Sequence, residues 1–137
     1  MAKDLGYGIE KSPNLEYLLE QGVLLLNTDL TCKLRKTASH AKLWEPFQKF
    51  FLEEVMRKKT GIVYVMAGGA SHRMDKYINP LGNHLFKIEH PAAAAYKGID
   101  WNCKDIFKIT DKIVADNGSN KIYWNKPDWD KENDCPF

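Results

Sequence analysis

Several kinds of site are ruled out by what this sequence does not contain. It has no Cys-x-x-Cys pair. Cys32, Cys103 and Cys135 are widely spaced and odd in number, which argues against a structural zinc site and for a reducing compartment. His40, His72, His84 and His90 form no His-Glu-x-x-His pattern, so metal catalysis has no sequence support. No Lys-Ser/Thr follows the Gly68-Gly69 turn, and no Gly-x-Gly-x-x-Gly is present; the P-loop and dinucleotide-binding readings therefore fail. No apolar run nears the ~20 residues that span a bilayer. Met1-Ala2-Lys3-Asp4 begins no charged-then-apolar leader, so neither membrane insertion nor signal-peptide secretion is expected. A net charge of +2 gives no global field for nucleic acid. No internal repeat and no low-complexity tract is found.

What the sequence does contain is a core and a pattern. Its 137 residues, 44% hydrophobic and 12% aromatic, suit one globular domain. Three apolar runs stand out: Gly22 to Leu26, Gly61 to Met66, and His84 to Ile88. Each stops at a polar or glycine-rich tip, namely Asn27-Thr28, Gly68 to His72, and His90-Pro91, and each is followed by a helix-like segment. The pattern predicts an α/β fold, a three-layer sandwich with a short parallel sheet of about three strands and a ligand crevice at their carboxyl ends.

Residues 1–11 read as a loose arm, 12–124 as the domain and 125–137 as a tail. Ser12-Pro13 reads as cap and first position of a helix over 14–21, with Leu15, Leu18 and Leu19 on one face and Gly22 closing it. Residues 28–43 read as a polar, basic loop. A helix is predicted from Trp44, with Trp44, Phe47, Phe51 and Val55 as core at helical spacing. A short helix over 70–78, a loop from Ala92 to Asp100 and a helix from Trp101 to Ala115 follow. The tail is acidic and proline-broken, yet holds Trp129 and Phe137. Large apolar side chains there call for a docking surface, on a protein partner or on the chain's own domain. The basic clusters Lys33 to Lys36 and Arg57 to Lys59 are either solvated loop and helix ends or phosphate contacts.

Two of the tips carry chemistry. An Asn amide, with one acceptor and two donors, matches a pyrimidine edge. A neutral His at a strand end can donate to a carbonyl oxygen gaining negative charge. Around them, Gln21-Gly22-Val23-Leu24-Leu25-Leu26-Asn27-Thr28, Leu30-Thr31, Ser39-His40, Trp44-Glu45-Pro46-Phe47, Gly61-Ile62-Val63, His90-Pro91 and a closing Ile122-Tyr123-Trp124 occur in one order. Over about residues 12–124 this resembles the family 1 uracil-DNA glycosylases, corresponding to roughly the C-terminal three-fifths of a complete enzyme.

The resemblance implies an enzyme scaffold that flips a uracil out of DNA and cleaves its glycosidic bond, without metal or cofactor. It assigns uracil reading to Asn27 and stabilisation of the departing uracil anion to His90. It also places Lys33, Arg35, Lys36 and Ser39 as candidate nucleic-acid contacts. The family's water-activating Gly-Gln-Asp-Pro-Tyr-His string has no counterpart here. Its His-Pro-Ser-Pro-Leu-Ser loop reads His90-Pro91-Ala92-Ala93-Ala94-Ala95, replacing the phosphate-gripping Ser and the wedging Leu by alanines. Tyr96 could wedge, and Ser71 could grip phosphate, only after local shifts. The family's sheet order, 2-1-3-4, makes the unmatched first strand a central one. The expectation is thus a degenerate, non-catalytic relative in which Asn27 and His90 are vestigial. It would serve as a structural or protein-interaction module, in the cytoplasm or as a component of a viral or phage particle, partnered by another protein or by itself. A DNA binder without chemistry, and a glycosylase that is active or completed in trans, are the alternatives.

Overall fold

The computed structural model describes residues 14–125. The arm, the Ser12-Pro13 cap, Trp129 and Phe137 lie outside the described residues. In chain order the elements are α1 (Glu16–Glu20), α2 (Ala41–Phe50) running into a π turn (Phe51–Val55), β1 (Val63–Ala67), α3 (Gly69–His72), a 3-10 turn (Asp75–Tyr77), β2 (His84–Ile88), α4 (Pro91–Tyr96) and α5 (Ile106–Asp116). They fall into two compact units, one made of residues 14–25 with 107–125 and the other Leu26–Ile106.

The larger unit is built on two parallel strands, with Val63 opposite His84 and Ala67 opposite Ile88. Even-numbered Tyr64 and Met66 share one face of β1, as the two-residue strand period requires. Met66 joins Leu52 and Ile78 in the core, with Phe51, Tyr64, Met74 and Tyr77 packed around them. The crossover back to β2 is pinned by Asn83. Its Oδ1 accepts from the Ile62 N–H (3.0 Å), and its Nδ2 donates to the carbonyls of Lys59 (3.1 Å) and Asn79 (3.0 Å). One side chain thus satisfies backbone groups that a bare turn would leave to solvent. In the smaller unit the Ile122-Tyr123-Trp124 segment closes on α1 and α5. Tyr17 Oη donates to the Trp124 carbonyl (3.0 Å), Trp124 Nε1 donates to Asp111 Oδ1 (2.9 Å), and Phe107 meets the indole edge-on at 4.8 Å.

The α/β class with a short parallel sheet is as predicted, but there are two strands and not three. Residues 23–27 have no regular secondary structure, and Leu24, Leu25 and Leu26 are 59%, 53% and 41% exposed. Apolar content alone does not make a strand; the backbone needs a ladder partner. The predicted loop after His90 is instead the helix α4. Four alanines are the best helix formers, and Pro91 follows a capping His90. The last helix begins at Ile106 and not Trp101, because Lys104 and Asp105 adopt left-handed φ of 53° and 55°. The first helix is shorter than predicted and buries Leu18, while Leu15 and Leu19 are exposed. Trp44 and Phe51 are half-buried, but Phe47 and Val55, expected in the core, are largely exposed.

An ion pair ties the crossover to β2: Lys87 Nζ donates to Asp75 Oδ2. That hydrogen bond, helped by the lysine's charge, holds the Asp75 carboxyl below its ordinary range. A carboxyl whose folded value is lowered stabilises the fold above its unfolded value, and this stabilisation is lost as pH falls through the folded value. Asp75→Asn is therefore expected to lower the melting temperature slightly at pH 7. The gap should close in acid, where both proteins carry a neutral side chain; parallel thermal melts at pH 7 and pH 2 read this out.

Candidate functional site

The carboxyl ends of the two strands meet at Gly68 and His90. Gly68 ends β1 with φ 87° and ψ 164°, a conformation open to glycine almost alone. A Cβ placed there would lie 2.9 Å from His90 Cβ, so the missing side chain lets the turn close against the imidazole. Two neighbours hold the same corner. His72 Nε2 lies 3.0 Å from the carbonyls of both Met66 and Ile88; two acceptors require that nitrogen to carry the proton, which it shares across both strand ends. Ser71 Oγ donates to the Gly68 carbonyl (2.8 Å), so this hydroxyl is spent on its own turn.

His90 caps α4. Its Nδ1 accepts from the Ala92 N–H at 3.1 Å. An accepting Nδ1 is unprotonated, so the neutral ring carries its proton on Nε2. The cap thereby leaves an exposed imidazole with an N–H free to donate, the tautomer needed to support a developing oxyanion. At the C-terminal end of the same helix, Tyr96 is 92% exposed.

Asn27 is held from behind. Gln48, only 3% exposed on α2, donates through Nε2 to the carbonyls of Asn27 (3.0 Å) and Thr28 (3.1 Å). The Asn27 side chain is exposed, with no hydrogen-bond partner among the described residues. Gln48 escaped the sequence reading. The signal was its phase: Trp44, Gln48 and Phe51 follow one helical face, where a lone polar residue is out of place unless it bonds something buried.

The basic residues gather in one loop. The Lys36 N–H donates to the Lys33 carbonyl (2.9 Å), and the Lys33 N–H donates to Ser39 Oγ (2.7 Å). Arg35 sits at the left-handed turn position, φ 59°. Thr31 Oγ1 anchors the loop base, accepting from Trp44 Nε1 (2.9 Å) and lying 2.9 Å from His40 Nδ1. Lys33, Arg35, Lys36 and Ser39 are all exposed. They form a compact cationic turn, but no bond joins it to Gly68 or His90.

Two open concavities are formed by described residues. One, of about 510 Å³, is lined by Leu52, Arg57, Tyr77, Ile78 and Leu81. The other, about 760 Å³, lies in the smaller unit and is lined by Tyr17, Gln21, Ile122 and Tyr123. Neither is lined by Asn27 or His90. Burial pushes the phenols of Tyr17 and Tyr64 above their ordinary value. Among the described residues no group of three or more His, Cys, Asp or Glu is placed to hold a metal ion, and no helix is long and apolar enough to cross a membrane.

Comparison with known proteins gives this geometry its context. No family model matches the chain. It is 35% identical over 128 residues to the uracil-DNA glycosylase of Pseudomonas aeruginosa strain PAO1, covering 92% of this chain and 54% of that protein. To the uracil-DNA glycosylase of Vibrio parahaemolyticus it is 32% identical over 130 residues, covering 93% and 57%. The fold matches the crystal structure of mimivirus uracil-DNA glycosylase with a TM-score of 0.72 at 18% identity, over 85% of this chain and 49% of that one. A mimivirus UNG variant solved in complex with UGI matches with a TM-score of 0.75 at 17% identity. The chain spans about half the length of the curated relatives it matches.

Proposed function

With the chain taken as a partial uracil-DNA-glycosylase-like domain, we propose that it acts as a structural or protein-interaction module and does not by itself hydrolyse the glycosidic bond of uracil in DNA. The carrying observation is the openness of the two retained groups: Asn27 and His90 are both exposed, and neither lines an enclosing cavity. Base excision needs the flipped base enclosed, so that pocket contacts repay the few kcal/mol of unstacking. It also needs a general base for water. No sequence counterpart of the water-activating string is present, and Ala92 to Ala95 stand where the wedge and a phosphate-gripping serine are expected. Losses in separate terms multiply, even if not fully additively: one missing acid–base group alone costs ~10²–10⁴-fold.

A second reading has one observation in its favour. His90 keeps the donor tautomer and Asn27 keeps a free amide, which are the two groups an enzyme completed by further polypeptide would use.

The test is uracil release from single-stranded uracil DNA by the purified 137-residue chain, with the Pseudomonas aeruginosa enzyme as standard. Release is expected to stay at buffer background, at least about 10³-fold below the standard. Release that Asn27→Ala and His90→Ala both abolish would overturn the proposal.

A further inference from the structure

The unguarded feature of this molecule is the outer edge of β1. Ladder bonds fix which way its backbone groups point. The His84 N–H donates to the Ile62 carbonyl, and the Gly68 N–H donates to the Ile88 carbonyl. Backbone groups alternate sides along a strand, so the even-numbered residues face β2 and Val63, Val65 and Ala67 face away. No strand lies on that side among the described residues, and no hydrogen bond reaches those three residues from outside.

Protein edges are normally blunted by charge, proline or a bulge. β2 carries Lys87 and His84, but Val63-Tyr64-Val65-Met66-Ala67 has no charge and no proline. It is apolar on both faces, the composition of a strand buried inside a parallel sheet. Yet Val65 is 42% exposed at its centre. The same unit leaves a second apolar surface open. Leu43, Phe47 and Phe50 stand at i, i+4 and i+7 on α2, with exposures of 68%, 39% and 58%.

The lengths of the relatives say what covers such surfaces. This chain accounts for 54% of the Pseudomonas aeruginosa enzyme and 49% of the mimivirus one. We propose that the outer edge of β1 is a docking site for an uncharged, apolar strand carried by the portion of a uracil-DNA-glycosylase polypeptide that this chain does not span. That strand adds parallel to β1 and bonds to the backbone of Val63, Val65 and Ala67. This rests on reading the chain as a partial glycosylase-like domain, and it names the partner of the proposed interaction module. Main-chain bonds along the edge supply affinity, and the flanking apolar side chains supply specificity.

The test co-expresses the full 137-residue chain, tagged, with the portion of the Pseudomonas aeruginosa enzyme it does not match. Copurification at one-to-one mass by light scattering is expected. Amide exchange should slow about tenfold or more at Val63, Val65 and Ala67 relative to the free chain. In the free chain these odd-numbered amides should exchange fast beside slow Tyr64 and Met66. Val65→Lys places a charge at the centre of the edge. Val65→Pro removes an outward N–H that bonds nothing in the free chain, a position where proline is tolerated. Each should cut the recovered partner about tenfold or more while leaving the free chain's melt within a few degrees. Absence of copurification, or a complex in which those amides stay fast, overturns the proposal. So does protection of the three amides in the isolated monomer, or in a homodimer, since the edge is then covered by this chain itself. Uracil release is read on the same samples: release by the chain alone sinks the functional reading and leaves the docking result to stand on its own.

Discussion

Gly68→Ala is expected to destabilise the protein by about 3 kcal/mol, while Gly69→Ala next to it raises stability by about 0.5 kcal/mol. The two glycines look alike in sequence and differ wholly in structure. Gly68 combines φ 87° with ψ 164°, and an added Cβ would stand 2.9 Å from His90 Cβ. An L-residue there bears backbone strain of about 1–3 kcal/mol and must also push aside the capping histidine. Gly69 opens α3 at an ordinary φ, with nothing within 4 Å of an added Cβ, so alanine only removes unfolded-state entropy. Paired urea titrations read both values. A domain of this size has roughly 5–15 kcal/mol in total, so the first substitution removes a large share. Near-equal midpoints for the two variants would mean that the turn does not close on His90 as described.

The sheet was half legible. Val63 to Ala67 and His84 to Ile88 could be read as strands because apolar runs ended at tips, and those tips do bring Gly68 and His90 together. Gly22 to Leu26 carries the same signal and is not a strand, because pairing is a property of two segments and the sequence of one cannot report the other. The helix α4 was written in plain alanines, but the resemblance suggested a loop there and local propensity prevailed. Asn27 and His90 were legible as residue types at strand ends. What they can do was not, since the His90 tautomer follows from a backbone N–H two residues away, and the Asn27 backbone is set by a side chain 21 positions on.

That side chain, Gln48, carries the other large expected effect. Gln48→Leu keeps the volume and removes the donor, leaving the carbonyls of Asn27 and Thr28 without the amide that now bridges them at 3.0 and 3.1 Å. Partial access of water to this segment limits the cost, which is expected at about 2 kcal/mol. Gln48→Glu is the sharper probe. At pH 7 the carboxylate has no proton to give, faces two carbonyl oxygens and sits where the native side chain is 3% exposed, so the loss should be about 3 kcal/mol or more. Protonation restores one donor. The introduced carboxyl is thus held above its unfolded value, and stability in this variant should be greatest below that value and fall as pH rises through the folded one. The chain with Gln48 in place has no such titration at this position. Urea midpoints from pH 4 to pH 8 for both variants separate lost packing, which is flat in pH, from lost donation, which is not. A Gln48→Glu variant with no more pH dependence than Gln48→Leu would show that this amide does not hold the backbone of Asn27, and the placement of the uracil-reading candidate would then rest on residues 23–26 alone.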